Sequence, residues 1–197
     1  HLVLGCPDYP PQGGPLWYWR SFDNGENWIK SEIHDPNARG GNGAPDLFVD
    51  ASGNVHVVYG SELDMDVNNK ASIRYTRFEN DNHLFDVTIT DPGEILPRFD
   101  TPHGIASVAA SADGEIVIVV YSEDFGGRLF ARESHDGGQS WGDPVEIAAR
   151  SCGSLGRNRQ VIRAIKDHFF LLYPSPNGVK LRYKKFTVNE QPVADAG

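Results

Sequence analysis

The sequence predicts an all-β chain assembled from repeated, antiparallel four-stranded sheets. Three observations carry that expectation. Twenty-one glycines and 13 prolines among 197 residues provide for many turns. No long stretch keeps a 3.6-residue apolar period, while strict alternation and β-branched runs are common. A strand–turn–strand unit also recurs along the chain. It runs from Leu47 through the Gly53 turn to Tyr59 and Glu62, and from Val108 through the Gly114 turn to Tyr121, Ser122 and Glu123. A weaker copy runs from Val161 through Asp167-His168 to Tyr173. The three tyrosines recur at intervals of roughly 50–60 residues, the scale of a four-stranded repeat.

Two octets punctuate this rhythm. Ser21-Phe22-Asp23-Asn24-Gly25-Glu26-Asn27-Trp28 and Ser134-His135-Asp136-Gly137-Gly138-Gln139-Ser140-Trp141 both read S-x-D-x-G-x-x-W. An aspartate at the third position can accept hydrogen bonds from backbone N–H groups ahead of it and lock a turn. A glycine at the fifth takes a positive φ that other residues resist. A tryptophan at the eighth supplies an apolar plate beneath the turn.

These octets resemble the Asp-box, or BNR repeat, of sialidase-like β-propellers. The resemblance implies a ring of four-stranded blades, six or seven in all, with each box on the hairpin between the third and fourth strands. It also implies a structural role, away from the active site, for Ser21, Asp23, Gly25, Trp28, Ser134, Asp136, Gly138 and Trp141. The chain then parses in order as a propeller portion over residues 1–190 and a linker-like tail over 191–197. Residues 1–34 supply the second to fourth strands of a first blade. Residues 44–91 and 104–148 form complete blades, and 160–188 begin another. Between the two octets, the hairpin near Asn80 lacks the motif, and Phe85 is expected in place of the anchoring tryptophan. About three and a half to four blades leave the ring open, so the remaining blades are expected from another portion of the chain or from a second copy. The tail Gln191-Pro192-Val193-Ala194-Asp195-Ala196-Gly197 resembles the lead-in to PKD-type modules of secreted proteins.

Composition narrows the function. A formal charge of −9 and the absence of a basic cluster argue against a nucleic-acid partner. No apolar run approaches the roughly 18 residues of a membrane span. Cys6 and Cys152 are compatible with a disulfide, with two buried thiols, or with neither. The chain starts at His1 without Met or a signal peptide, and reads as a processed or excised piece of a secreted or cell-surface protein.

In the resembled family, the functional face is built by loops between blades and by those joining strands two and three. Here these loops hold Arg39, Arg98, Arg157 and Arg159, whose guanidinium forks suit the carboxylates of acidic sugars. Sialidases grip the substrate carboxylate with three arginines, but their aromatic-Arg-Ile/Leu-Pro motif is missing from this sequence. Asp100, His103, Tyr121 and Glu123 are the acid, base and nucleophile types nearest that face. The repetition of Tyr followed by Ser-Glu points equally to packing. Asp64, Asp66 and Asn68 form D-x-D-x-N, the alternating oxygen ligands of a calcium loop, without the glycine and glutamate that complete one. No cofactor is required, and a structural calcium is the one candidate. The resulting expectation is a secreted sialidase-like propeller that recognises anionic carbohydrate and, if it is an enzyme, hydrolyses it as a sialidase-like glycosidase. The alternatives are a non-catalytic glycan-binding or scaffold propeller and a lyase of uronate polysaccharides, using His103, Tyr121 and Arg98.

Overall fold

A computed structural model describes residues 2–5, 16–33, 43–61, 72–80, 82–90, 106–122, 128–149, 160–175 and 178–185. All regular structure among them is β. The elements are β1 (Leu2–Gly5), β2 (Leu16–Arg20), β3 (Ile29–Ile33), β4 (Gly43–Val49), β5 (Val55–Ser61), β6 (Ser72–Glu79) and β7 (Asn82–Thr88). They continue with β8 (Ala106–Ala110), β9 (Val117–Ser122), β10 (Leu129–Ser134), β11 (Val145–Ala148), β12 (Val161–Ile165), β13 (His168–Ser175) and β14 (Gly178–Lys185). They form four antiparallel meanders: β1-β2-β3, β4-β5-β6-β7, β8-β9-β10-β11 and β12-β13-β14. The all-β expectation holds. No helix among the described residues is long and apolar enough to cross a membrane.

Period-two alternation decides how the sheets stack, because successive side chains point to opposite faces. In β5, Val55, Val57 and Tyr59 face the first sheet and pack with Leu16, Tyr18 and Ile33. Val58 on the same strand joins Ile73 and Tyr75 of β6 in facing the third sheet. There they meet Ala106, Val108, Ala110, Val117, Val119 and Tyr121. The third sheet repeats the arrangement: Ile118, Val120, Leu129 and Ala131 meet Ile162, Phe169, Leu171 and Tyr173 of the fourth. The second and third sheets are thus apolar on both faces, and the core is a series of seams between sheets. Strands β4, β8 and β12, first in their meanders, lie side by side along one wall.

The repeated tyrosines belong to these seams. Tyr59, Tyr121 and Tyr173 are all buried, each pointing toward the preceding sheet. Tyr121 stacks on Phe130 with ring centroids 5.9 Å apart. Phe85 packs on Tyr75 of its own sheet at 6.0 Å, whereas Trp141 reaches Tyr75 from the next sheet, edge-on at 5.1 Å.

Candidate functional site

The octets fold into one turn used twice, at the β2–β3 and β10–β11 connections. Ser21 Oγ donates to Asp23 Oδ1 (2.7 Å) and accepts from the Gly25 N–H (2.8 Å). Asp23 Oδ1 also accepts from the Asn27 N–H (2.9 Å), and Trp28 Nε1 donates to the Gly25 carbonyl (2.9 Å). In the second octet the corresponding bonds are Ser134 to Asp136 (2.7 Å), Gly138 N–H to Ser134 Oγ (2.8 Å), Ser140 N–H to Asp136 (2.9 Å) and Trp141 to Gly138 (3.1 Å).

Both carboxyls are held well below the ordinary carboxylate range, at about 2. For Asp23 the largest cause is the Asn27 N–H, followed by the Ser21 hydroxyl and the Asn27 amide. For Asp136, burial pushes upward but is outweighed by the Ser140 hydroxyl and N–H and by Ser134. A carboxyl whose folded pKa lies below its unfolded value of about 3.9 contributes stability above that value and loses it as pH falls toward the folded pKa. Acid titration followed by carbonyl NMR is therefore expected to show Asp23 and Asp136 titrating near pH 2. Asp136→Asn should flatten the stability loss between about pH 4 and 2. Titration of both groups near pH 4 would refute the locked turn.

Next to the second octet lies a buried polar chain in the seam between the second and third sheets. His56 sits between Asp50 and Tyr75, with Nε2 3.2 Å from Asp50 Oδ2 and Nδ1 2.7 Å from Tyr75 Oη. Tyr75 donates onward to the Gly137 carbonyl (3.1 Å), which Arg77 also reaches at 3.4 Å. Asn54 closes the other end by donating its N–H and its side-chain amide to Asp50 (2.9 and 2.8 Å). His56 and Asp50 have fully buried side chains, so this Asp–His–Tyr chain meets no ligand and acts as a seam between sheets. Burial pushes the Tyr75 hydroxyl far above the ordinary phenol range, which keeps it neutral.

A polar cluster open to solvent lies on the wall formed by β4, β8 and β12. Asp46 Oδ2 accepts from Ser107 Oγ (2.5 Å), the Val108 N–H (3.2 Å) and Arg163 Nη1 (3.1 Å), while Oδ1 accepts from Arg163 Nη2 (3.2 Å). Ser107 in turn accepts from the Ile162 N–H (3.1 Å). One carboxylate therefore ties three sheets together through a two-pronged guanidinium contact, the most directional ion-pair geometry available to protein side chains. The pair remains accessible: the side chains of Asp46 and Arg163 are 22% and 48% exposed. A fixed acceptor beside a fixed donor is what neighbouring hydroxyls need in order to donate to one and accept from the other.

Sequence reasoning did not single out Asp46, Ser107 or Arg163. Of the residues it did, Tyr121 lies on β9 with its side chain fully buried. Arg39, Arg98, Asp100, His103, Glu123, Arg157, Arg159, Asp64, Asp66, Asn68, Cys6 and Cys152 lie outside the described residues. Arg39 precedes β4 in sequence, Arg98 precedes β8, and Arg157 and Arg159 precede β12. Among the described residues no group of three or more His, Cys, Asp or Glu is placed to hold a metal ion.

Neither a family model nor a curated protein matches the sequence. Solved structures do match. The α-L-arabinanase of Penicillium chrysogenum, complexed with arabinobiose, aligns with a TM-score of 0.53 at 18% identity. That alignment covers 89% of this chain and 56% of the arabinanase. The GH93 α-L-arabinofuranosidase of Fusarium graminearum, also with arabinobiose, gives 0.52 at 15% identity over 90% of this chain and 56% of the other. Trypanosoma rangeli sialidase, in complex with sialic acid, gives 0.53 at 14% identity over 89% and 32%. The chain folds as part of a β-propeller. The four meanders are its blades, and the inner wall of β4, β8 and β12 faces its axis. The chain spans little more than half the length of the arabinanase and the arabinofuranosidase and about a third of the sialidase.

Proposed function

We propose that this propeller portion belongs to an extracellular carbohydrate-recognising protein whose ligand lies over the inner wall. The observation that carries the reading is the Asp46–Arg163 pair, partly exposed on axis-facing strands and held by Ser107. It is supported by the three structural neighbours, which are an arabinanase, an arabinofuranosidase and a sialidase, each solved with a sugar. Preference for anionic sugars rests on Arg39, Arg98, Arg157 and Arg159, which lie in the segments that lead into the same three inner strands. Hydrolysis by the common glycosidase route needs an acid and a nucleophile, usually two carboxyls, on either side of the scissile bond. Asp100 and Glu123 remain the proposed contributors of that chemistry.

The test is calorimetric titration of the intact protein with arabino-oligosaccharides, sialosides and uronate oligomers, each also assayed for cleavage. Arg163→Gln is expected to weaken binding of the recognised sugar by about tenfold or more, since a hydrogen bond to a charged group contributes about 1.5–3 kcal/mol. Failure of every sugar class to bind would overturn the reading. Binding without cleavage would favour a recognition module over a glycosidase.

A further inference from the structure

In the buried polar chain between the second and third blades, one hydrogen has two places to go, and the charge of His56 decides between them. Asp50 is a carboxylate that already accepts twice from Asn54, so its 3.2 Å contact with His56 needs a hydrogen on Nε2. The Tyr75 hydroxyl has a single hydrogen and two neighbours that can take it, His56 Nδ1 at 2.7 Å and the Gly137 carbonyl at 3.1 Å. If His56 is neutral, Nδ1 offers only a lone pair. Two acceptors at 2.7 Å repel, so the hydroxyl turns to Nδ1 and leaves Gly137 with Arg77 Nη1 at 3.4 Å. If His56 is an imidazolium, Nδ1 donates to Tyr75 and the hydroxyl is free to donate to Gly137.

The charges around His56 pull in opposite directions. Asp50, fully buried beside Nε2, favours the imidazolium through a charge-assisted hydrogen bond. Arg77 opposes it: it is buried and pairs with His56 across β5 and β6, so the two side chains share one face of the sheet. On the other side, β4 places the uncharged Phe48 opposite His56. The third blade brings the second octet, whose Asp136 acts through space on Tyr75. It also brings the β8–β9 turn, where Gly114 abuts Asp50 while Asp113 and Glu115 are exposed. With His56 neutral, the buried charges of Asp50 and Arg77 cancel. With His56 protonated, one positive charge remains in the seam.

We propose that His56 is a proton switch for the seam between the second and third blades. Uptake of one proton from water at Nδ1 reverses the Tyr75 hydroxyl, from His56 toward Gly137, and makes an interblade hydrogen bond that the neutral state lacks. Only hydrogens move, because both heavy-atom distances already lie in hydrogen-bond range. The bond lands in the second octet, so the locked turn is fastened to the preceding blade in response to pH. The switch uses no residue of the inner-wall site and is independent of the carbohydrate reading.

The test is an NMR titration of the 197-residue chain, labelled with ¹⁵N-histidine and ¹³C-glycine, over about pH 4.5–8.5, the range in which histidine changes charge. Asp23, Asp50 and Asp136 titrate below that range. His56→Gln assigns the ring signals. As pH rises, Nδ1 is expected to lose its proton while Nε2 keeps its own, and the Gly137 carbonyl signal should move with the same midpoint. In Tyr75→Phe, which keeps the ring and removes the hydroxyl, Gly137 should no longer follow His56. Should either variant fail to fold, ring-to-carbonyl correlations in the wild-type chain assign and decide the titration alone. A ring that holds one charge state throughout, loss of the Nε2 proton in place of the Nδ1 proton, or a Gly137 carbonyl that stays still while His56 titrates would each overturn the switch. So would a Gly137 signal that follows His56 equally in Tyr75→Phe.

Discussion

Gly138→Ala is expected to be one of the two most damaging single substitutions in the described part of the chain, costing about 2–5 kcal/mol. Two independent causes add. Gly138 has φ +96°, where an L-residue pays roughly 1–2 kcal/mol. A Cβ built there would also lie 2.1 Å from Tyr75 Cε1 and 2.7 Å from its hydroxyl oxygen. Tyr75 cannot move aside, because it is buried, wedged edge-on against Trp141 and hydrogen-bonded to Gly137. Forcing an extra carbon into such packing typically costs a further 1–3 kcal/mol. The first octet provides an internal control. Gly25 has nearly the same backbone, φ +95°, but its Cβ would meet only Trp28 at an ordinary 3.6 Å. Gly25→Ala should therefore show the conformational cost alone, about 1–2 kcal/mol. Urea unfolding of the two variants separates the causes. Equal losses would mean that the Tyr75 contact contributes nothing.

That contrast shows what sequence alone conveys here. The octets were legible because their bonds join residues two to four positions apart, so spacing alone encodes the geometry. The strand repeats were legible because alternation follows directly from the pleat. The consequence of Gly138 was not, since it depends on Tyr75 in the preceding blade. The inner-wall site was hidden for the same reason. Arg163 meets Asp46 across 117 positions, and Ser107 between them is one serine among many until the inner strands are set side by side. The nearest signal was that arginines cluster just before β12, within a few residues of Arg163. Nothing near His56 in sequence marks it out; its chain to Asp50 and Tyr75 exists only once two blades close over it.

Asp50→Ala is the other substitution with a large expected effect, about 3–5 kcal/mol, and its signature is in the pH dependence. The Asp50 carboxylate accepts from the Asn54 N–H, the Asn54 amide and the His56 ring, all without solvent access. Removing it leaves those groups buried without their acceptor, and loss of one partner of a buried charged network typically costs this much. The residue also props the neighbouring turn, since a Cβ on Gly114 would lie 2.2 Å from Asp50 Oδ2 and the Ala51 N–H donates to the Ala112 carbonyl. Asp50→Asn keeps the volume and one acceptor oxygen but turns an N–H₂ toward donors, so a smaller loss of about 1–3 kcal/mol is expected. Burial by itself would raise the Asp50 pKa, yet hydrogen bonds from His56 and Asn54 outweigh it and hold the carboxyl below the ordinary aspartate value. With the folded pKa depressed, the contribution is complete above the unfolded value of about 3.9 and fades as pH falls through the folded one. The stability gap between wild type and Asp50→Ala should therefore be widest near neutrality and narrow below about pH 4. Denaturant unfolding at pH 7 and at pH 3 measures both gaps. A gap that stays constant on acidification would mean that Asp50 stabilises the seam by shape rather than by charge.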